Sequence, residues 1–310
     1  MNQEDIITSG RNNPLIDPIL NIWHWEIPLY LFFGGMAAGI LFFASLYYLK
    51  GREKRYPSAI KYAPLYAPIF LVIGLAVLML DLKHPLYAWR LYTTIRMQSP
   101  MSWGAWTLML VTPLSFLWGF SYLRELYPKI KYPFKWIYKL EGLTKDFRKP
   151  MAWILVVFSI ILGIYTGILL SAFNARPLWN TTILGPLFLS SGLSAGAAFI
   201  LLMAKKKKEI KLFTQIDLML IIIEIFLIVH MVMGFKASTQ SQIEASEIIM
   251  GGDYTIAFWV FVFTLGLVVP LILKVLELNG KKIHKAIPSL LVIFGSLMLR
   301  FIITFAGQIT

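Results

Sequence analysis

Apolar and polar positions along this chain segregate into long blocks, without the strict alternation of strands or the heptads of a coiled coil. Runs of about 20 mainly apolar residues, the length that crosses a hydrocarbon core, fall near 25–49, 62–81, 102–123, 151–173, 183–204, 212–235, 256–276 and 286–307. They predict an all-α polytopic membrane protein with eight transmembrane helices. The segment between the third and fourth runs, YPKIKYPFKWIYKLEGLTKDFRKP, interleaves Tyr, Phe, Trp and Ile with Lys. It is too charged to span and is expected to lie at the membrane interface, its aromatic side among the headgroups.

The polar blocks carry a second pattern. The loops Lys50 to Lys61, Arg124 to Lys149, Lys205 to Lys211 and Lys274 to Lys285 hold 22 of the 29 Lys and Arg residues, and the alternate loops hold few. Short cytoplasmic loops retain positive charge, so these four are assigned to the inner side. Both termini then lie on the outer, periplasmic side of a bacterial or archaeal cytoplasmic membrane. Residues 1–20 form a polar outer segment and 21–310 the transmembrane domain. The first 20 residues lack a basic region followed by a short apolar core, so the first span is expected to act as the insertion signal.

Composition narrows the function. With 58% hydrophobic residues and a mean hydropathy of +0.69, the net charge of +13 reads as topology and not as nucleic-acid binding. The absence of cysteine excludes a thiolate-held iron–sulfur cluster in this chain, so any such cluster belongs to a partner.

A weak internal echo is visible. Pro28-Leu-Tyr-Leu leading to Ala38-Gly39 resembles Pro186-Leu-Phe-Leu leading to Ala195-Gly196. Both runs cross in the same direction, which suits two parallel four-helix bundles. Close helix packing by small residues accounts for it equally well.

Ionisable groups inside a span are costly and mark a site or a paired network. Here they crowd toward one side. Asn21 and His24 precede the first span, Asp81 and His84 end the second, Tyr165 lies about two turns from the outer end of the fourth, and Arg300 lies about two turns inside the eighth. Glu224 sits near mid-membrane in the sixth, with His230 between it and the outer surface. A transmembrane haem chain needs axial histidines facing each other across helices in both leaflets. The fourth histidine, His284, is in an inner loop, so no haem is expected. A quinone fits better: it needs a donor for each carbonyl oxygen, an apolar bed and a proton route. His24 and Tyr165 can donate, and Asp81 and Glu224 can relay protons. Arg300 has two readings, contact with substrate or pairing with Glu224 or Asp81.

Six stretches together resemble the NrfD/PsrC family, the membrane subunits of polysulfide-reductase-type complex iron–sulfur molybdoenzymes. They are WHWEIPLYLFFGGMAAG from Trp23 to Gly39, Asp81-Leu-Lys-His-Pro85, Ser99-Pro-Met-Ser-Trp-Gly-Ala-Trp106, Tyr165-Thr-Gly-Ile-Leu-Leu-Ser171, Pro177-Leu-Trp-Asn180, and Arg300 through Gly307-Gln308. The resemblance implies an NrfD-type domain binding menaquinone, or another quinone, near the outer face. A ferredoxin-like iron–sulfur subunit would dock there and serve a molybdopterin catalytic subunit. Carried over by motif, Asn21, His24 and Tyr165 would contact quinone, and Asp81, Glu224 and Arg300 would serve proton transfer. Only Asp81 and Arg300 of that trio sit in matched motifs. Lys83-His84 departs from the commoner Asp-Leu-Gly-x-Pro turn, which changes local hydrogen bonding.

The leading expectation is a quinone-binding anchor subunit that exchanges two electrons with an iron–sulfur partner. Terminal catalysis would take place in another subunit. The competing class is a secondary transporter using Glu224, Arg300 and His230 as a midplane relay. A third is an anchor that has lost its quinone site.

Overall fold

The computed structural model of the protein describes residues 23–82 and 84–310. Asn21 and Lys83 lie outside the described residues. Eight helices are long and apolar enough to span: α1 Glu26–Leu49, α2 Ser58–Asp81, α3 Pro100–Leu126, α4 Arg148–Ser171, α5 Leu184–Met203, α6 Lys207–Lys236, α7 Ala257–Leu278 and α8 Ala286–Gln308. No strand occurs among the described residues. In lipid only intrahelical bonding or a closed barrel satisfies the backbone, so this all-helical solution follows from the eight apolar runs.

The boundaries differ from expectation where proline or lysine intervenes. α2 begins at Ser58 with a π turn, Ser58–Tyr62, and a 3-10 turn, Ala63–Leu65. These carry the chain past Pro64 and Pro68, whose missing N–H groups interrupt regular α bonding. α6 starts five residues early because lysines are good helix formers and need no lipid. Its 30 residues make it roughly 45 Å long, so its first turns project beyond a core about 30 Å thick. α7 is π-helical over Ala257–Val268 and α-helical over Val269–Leu278.

Helices α1 and α5 form the centre, 78% and 67% buried, against 28–50% for the other six. α1 packs on α2 and α4, with α3 closing the first bundle; α5 packs on α6 and α8, with α7 closing the second. The bundles join where α5 meets α1 and α4, and where α8 meets α1. The echoed residues meet at this seam. A Cβ on Gly39 would lie 2.3 Å from the Gly192 carbonyl oxygen, one on Gly192 would lie 2.8 Å from that of Gly35, and one on Gly196 would lie 2.6 Å from the Gly39 carbonyl carbon. Contacts that climb both helices together in steps of four require α1 and α5 to run parallel. The echo is therefore a packing contact between equivalent helices of two bundles.

The two ends of the molecule differ. At one end Lys61 bridges Glu53 (3.0 Å) and Glu125 (2.9 Å), Arg148 holds Glu125 (2.7 Å) and lies over the Tyr122 ring, and Glu141 takes Arg124 (3.1 Å) and Lys145 (2.6 Å). Lys206 donates to the Lys54 carbonyl at 2.6 Å, and Lys285 donates to the carbonyls of Leu202 and Ala204. The helix Lys135–Asp146 lies at this end, burying Glu141 and Thr144. It leaves Trp136, Leu140, Leu143 and Phe147 exposed at i, i+4, i+7 and i+11. That outward apolar stripe is what an interfacial helix presents to lipid. Lys274, grouped with a basic loop on sequence grounds, is instead fully buried inside α7. The opposite end gathers Trp23, the 172–183 loop, the helix Gln240–Met250 and the C-terminus.

Candidate functional site

The Tyr165 hydroxyl of α4 and the Tyr30 hydroxyl of α1 lie 3.3 Å apart, both side chains buried. Glycine makes the arrangement. A Cβ on Gly104 of α3 would fall 2.1 Å from the Tyr165 ring and 2.5 Å from its hydroxyl, so the phenol lies directly against the α3 backbone. Gly167, two residues after Tyr165, lets α4 touch the Leu184 carbonyl of α5 and fixes its depth. A third phenol, Tyr92, belongs to the turn Arg90–Thr93, whose Tyr92 carbonyl accepts Trp106 Nε1 at 3.3 Å. Tyr92 interacts electrostatically with both buried phenols, and burial raises its own pKa, which keeps it a donor.

One turn outward lies a second group. Glu26 precedes Tyr30 by four residues and so shares its face of α1, about 6 Å along the axis. His24, Glu26 and Asp81 place one ligand atom each within 4.8 Å of the others. The structure thus joins two of the expected residues, His24 and Asp81, and adds Glu26 and Tyr30, which the sequence reading did not single out. Beyond them the 82–101 loop encloses an open cavity of about 380 Å³ lined by His84, Arg90, Arg96, Met101 and Ser102.

Arg300 sits apart, at the seam of the bundles. It donates to the carbonyls of Leu31 (3.1 Å), Phe188 (3.2 Å) and Ser296 (2.8 Å), and to the hydroxyls of Ser191 (3.2 Å) and Ser296 (2.7 Å). Gly35 makes room for it, since a Cβ there would lie 2.6 Å from the guanidinium. Of its two readings, pairing with Glu224 or Asp81 is not made at ion-pair distance; Arg300 instead makes five bonds with neutral oxygens. Glu224 is buried, interacts with Arg300 and Ser191, and leaves Oε1 without a hydrogen-bond partner.

Below Glu224 the structure shows what the sequence reading missed. Asp217 of α6 pairs with Lys274 of α7 at 2.9 Å, both fully buried, and accepts from Ser194 Oγ at 2.6 Å. Glu209, also buried, accepts from the Ala59 N–H at 2.9 Å. Glu209, Asp217 and Glu224 recur about two turns apart, so α6 carries three buried carboxylates down one face. The available signal was that spacing. His230 does not join them: it is exposed, and its Nδ1 lies 2.8 Å from the Phe226 carbonyl of its own helix. The Glu224–Arg300–His230 relay of the transporter reading is not assembled.

The surface at this end is knitted in part. Trp179 donates to the Ile303 carbonyl at 2.7 Å and stacks on Trp23, Gln308 brackets the Trp23 backbone with two 2.8 Å bonds, and Gln242 donates to the Asn180 carbonyl at 2.7 Å. The 82–101 loop instead exposes Leu86, Trp89, Ile95 and Met97.

These features define a polytopic membrane protein of two parallel four-helix bundles, with hydrogen-bonding phenols gathered in one bundle and a line of three buried carboxylates on α6 in the other. The chain belongs to the NrfD family: the family model described as polysulphide reductase, NrfD, matches residues 14–310. It is similar to a polysulfide reductase chain of Wolinella succinogenes, 33% identical over 93% of this protein and 94% of that one. Protein NrfD of Escherichia coli is 30% identical over 93% and 96%. A selenate reductase subunit of Mesobacillus selenatarsenatis is 23% identical over 93% of this protein and 74% of its own length.

Proposed function

We propose that the chain is the quinone-binding membrane subunit of a respiratory reductase complex, exchanging two electrons between menaquinone and an iron–sulfur partner. The observation that carries this reading is the Tyr30–Tyr165 phenol pair, buried at the end of the bundle away from the basic loops. Bound there, a quinone supplies reversible two-electron, two-proton chemistry. Tyr165 and His24 donate hydrogen bonds to its two carbonyl oxygens, and apolar side chains of α1, α3 and α4 exclude water from its ring. Asn21, three residues before His24, is assigned to the same contact set by the family resemblance.

Protons pass between the phenols and solvent through Glu26, Asp81 and His24, which begin one turn outward. The basic loops support placing their end in the cytoplasm, which puts this exchange on the outer side. Glu224 and Arg300 lie on the route inward, and Asp217 with Lys274 continue it toward the basic end. The relatives named as a polysulfide reductase chain and a selenate reductase subunit support a place in a reductase complex, and the partners proposed with it are a ferredoxin-like iron–sulfur protein and a molybdopterin catalytic subunit. The exposed apolar 82–101 loop is its docking surface. The test is Tyr165→Phe and His24→Ala in the intact complex: each should lower quinone-linked turnover at least tenfold while assembly persists. Wild-type turnover in both variants would sink the assignment.

A further inference from the structure

Three carboxylates held wholly or partly inside the protein have a cation within ion-pair distance. Glu125 has Lys61 and Arg148, Glu141 has Arg124 and Lys145, and Asp217 has Lys274. Glu26 and Asp81 are different. Their carboxylates lie within 4.8 Å of each other, and among the described residues neither forms an ion pair with Lys or Arg. The Glu26 Oε2 atom is shielded from solvent and has no hydrogen-bond partner. His24 completes the group, the three ligand atoms all lying within 4.8 Å of one another. Two carboxylates with an imidazole, and no Lys or Arg bridged to them among the described residues, form a donor set short of positive charge.

We propose that His24, Glu26 and Asp81 bind a divalent transition-metal ion, zinc in the first place, at the outer mouth of the tyrosine pair. One imidazole nitrogen and two carboxylate oxygens supply three ligands and leave a fourth, tetrahedral position to water. The ion cancels both negative charges. Zinc–ligand bonds of roughly 2.0–2.2 Å place ligand atoms about 3.4 Å apart, so the three side chains have to close by about an ångström to bind the ion. Calcium and magnesium fit poorly, because they seek six or more oxygens and avoid imidazole. Among first-row divalent ions, a nitrogen–oxygen site of this kind holds zinc more tightly than manganese or iron.

Occupancy has a consequence that rests on the quinone reading, whereas the binding itself does not. A metal on Glu26 and Asp81 removes the carboxylates one turn outside Tyr30 from proton exchange, and it takes His24 from the quinone. Zinc should therefore inhibit quinone-linked turnover from the outer side, reversibly on chelation.

The test uses the intact complex, stripped with a chelator and titrated calorimetrically with zinc, then with cobalt as an optical probe. The expected result is one ion per chain, with the visible absorption of four-coordinate cobalt. Affinity should be at least tenfold weaker in Glu26→Gln and in Asp81→Asn, and unchanged in Glu247→Gln, an exposed carboxylate paired with Lys236 at the same end. Thermal unfolding of each variant complex should match the wild type, which separates lost ligation from misfolding. Failure of the wild type to bind stoichiometrically, or wild-type affinity in both site variants, overturns the proposal. Stoichiometric binding without inhibition retains the site and counts against the quinone reading instead.

Discussion

A single added methyl group tests whether the position of the Tyr165 phenol matters. In Gly104→Ala the new Cβ would lie 2.1 Å from two ring carbons of Tyr165 and 2.5 Å from its hydroxyl oxygen. Carbon atoms rest about 3.5–4.0 Å apart, so the ring must retreat by about 1.5 Å. The Tyr30–Tyr165 contact begins at 3.3 Å, near the limit of a hydrogen bond, and does not survive that shift. The α3 backbone is not the casualty, because alanine favours a helix over glycine by about 1 kcal/mol. The clashing atoms, moreover, belong to one side chain and not to backbone. A misplacement of about 1 Å can cost about 100-fold in rate, so quinone-linked turnover of the Gly104→Ala complex should fall on that order. Its thermal unfolding should stay within a few degrees of wild type. Steady-state turnover with a soluble quinol analogue, read beside unfolding of the same preparation, checks both. Turnover within twofold of wild type would refute the claim that this phenol geometry serves the reaction.

Two further outcomes follow from packing. Gly39→Ala drives a Cβ into the Gly192 carbonyl, where only backbone can yield, and should destabilise by about 1–3 kcal/mol. Gly34→Ala, with open space around its Cβ, should match or exceed wild type when both are heated in detergent. Asp217→Asn leaves Lys274 buried without its counter-charge and should lower stability by about 3–5 kcal/mol, whereas the double substitution Asp217→Leu with Lys274→Met should restore most of that loss in the same assay.

The span count and the gathering of the basic loops at one end were legible because both depend on long, composition-level signals that single residues do not disturb. His24, Asp81 and Tyr165 were legible as polar groups near one end of apolar runs. Tyr30 was not, because inside Pro28-Leu-Tyr-Leu-Phe-Phe it reads as one more aromatic lining a helix. Its role depends on Gly104 and Tyr165, which come from other helices. Asp217 and Lys274 were missed for a related reason. Each lies within about two turns of a lysine-rich loop and so reads as solvated, and only the packing of α5 and α7 against α6 puts both out of reach of water. The π-helical stretch Ala257–Val268 left no mark in composition at all. It coincides with the close approach of Gly266 to Gly295, a feature of two helices together.

The glycine seam between α1 and α5 also limits how this molecule can work. Where two helices touch backbone to backbone at Gly35, Gly39, Gly192 and Gly196, there are no side chains to slide past one another or to re-seat in a second arrangement. Rocking one bundle against the other would lose that contact at the axis of the motion and offer nothing in exchange. At this seam the two bundles therefore form one fixed frame, and the proton relay proposed above would run between groups that keep their places.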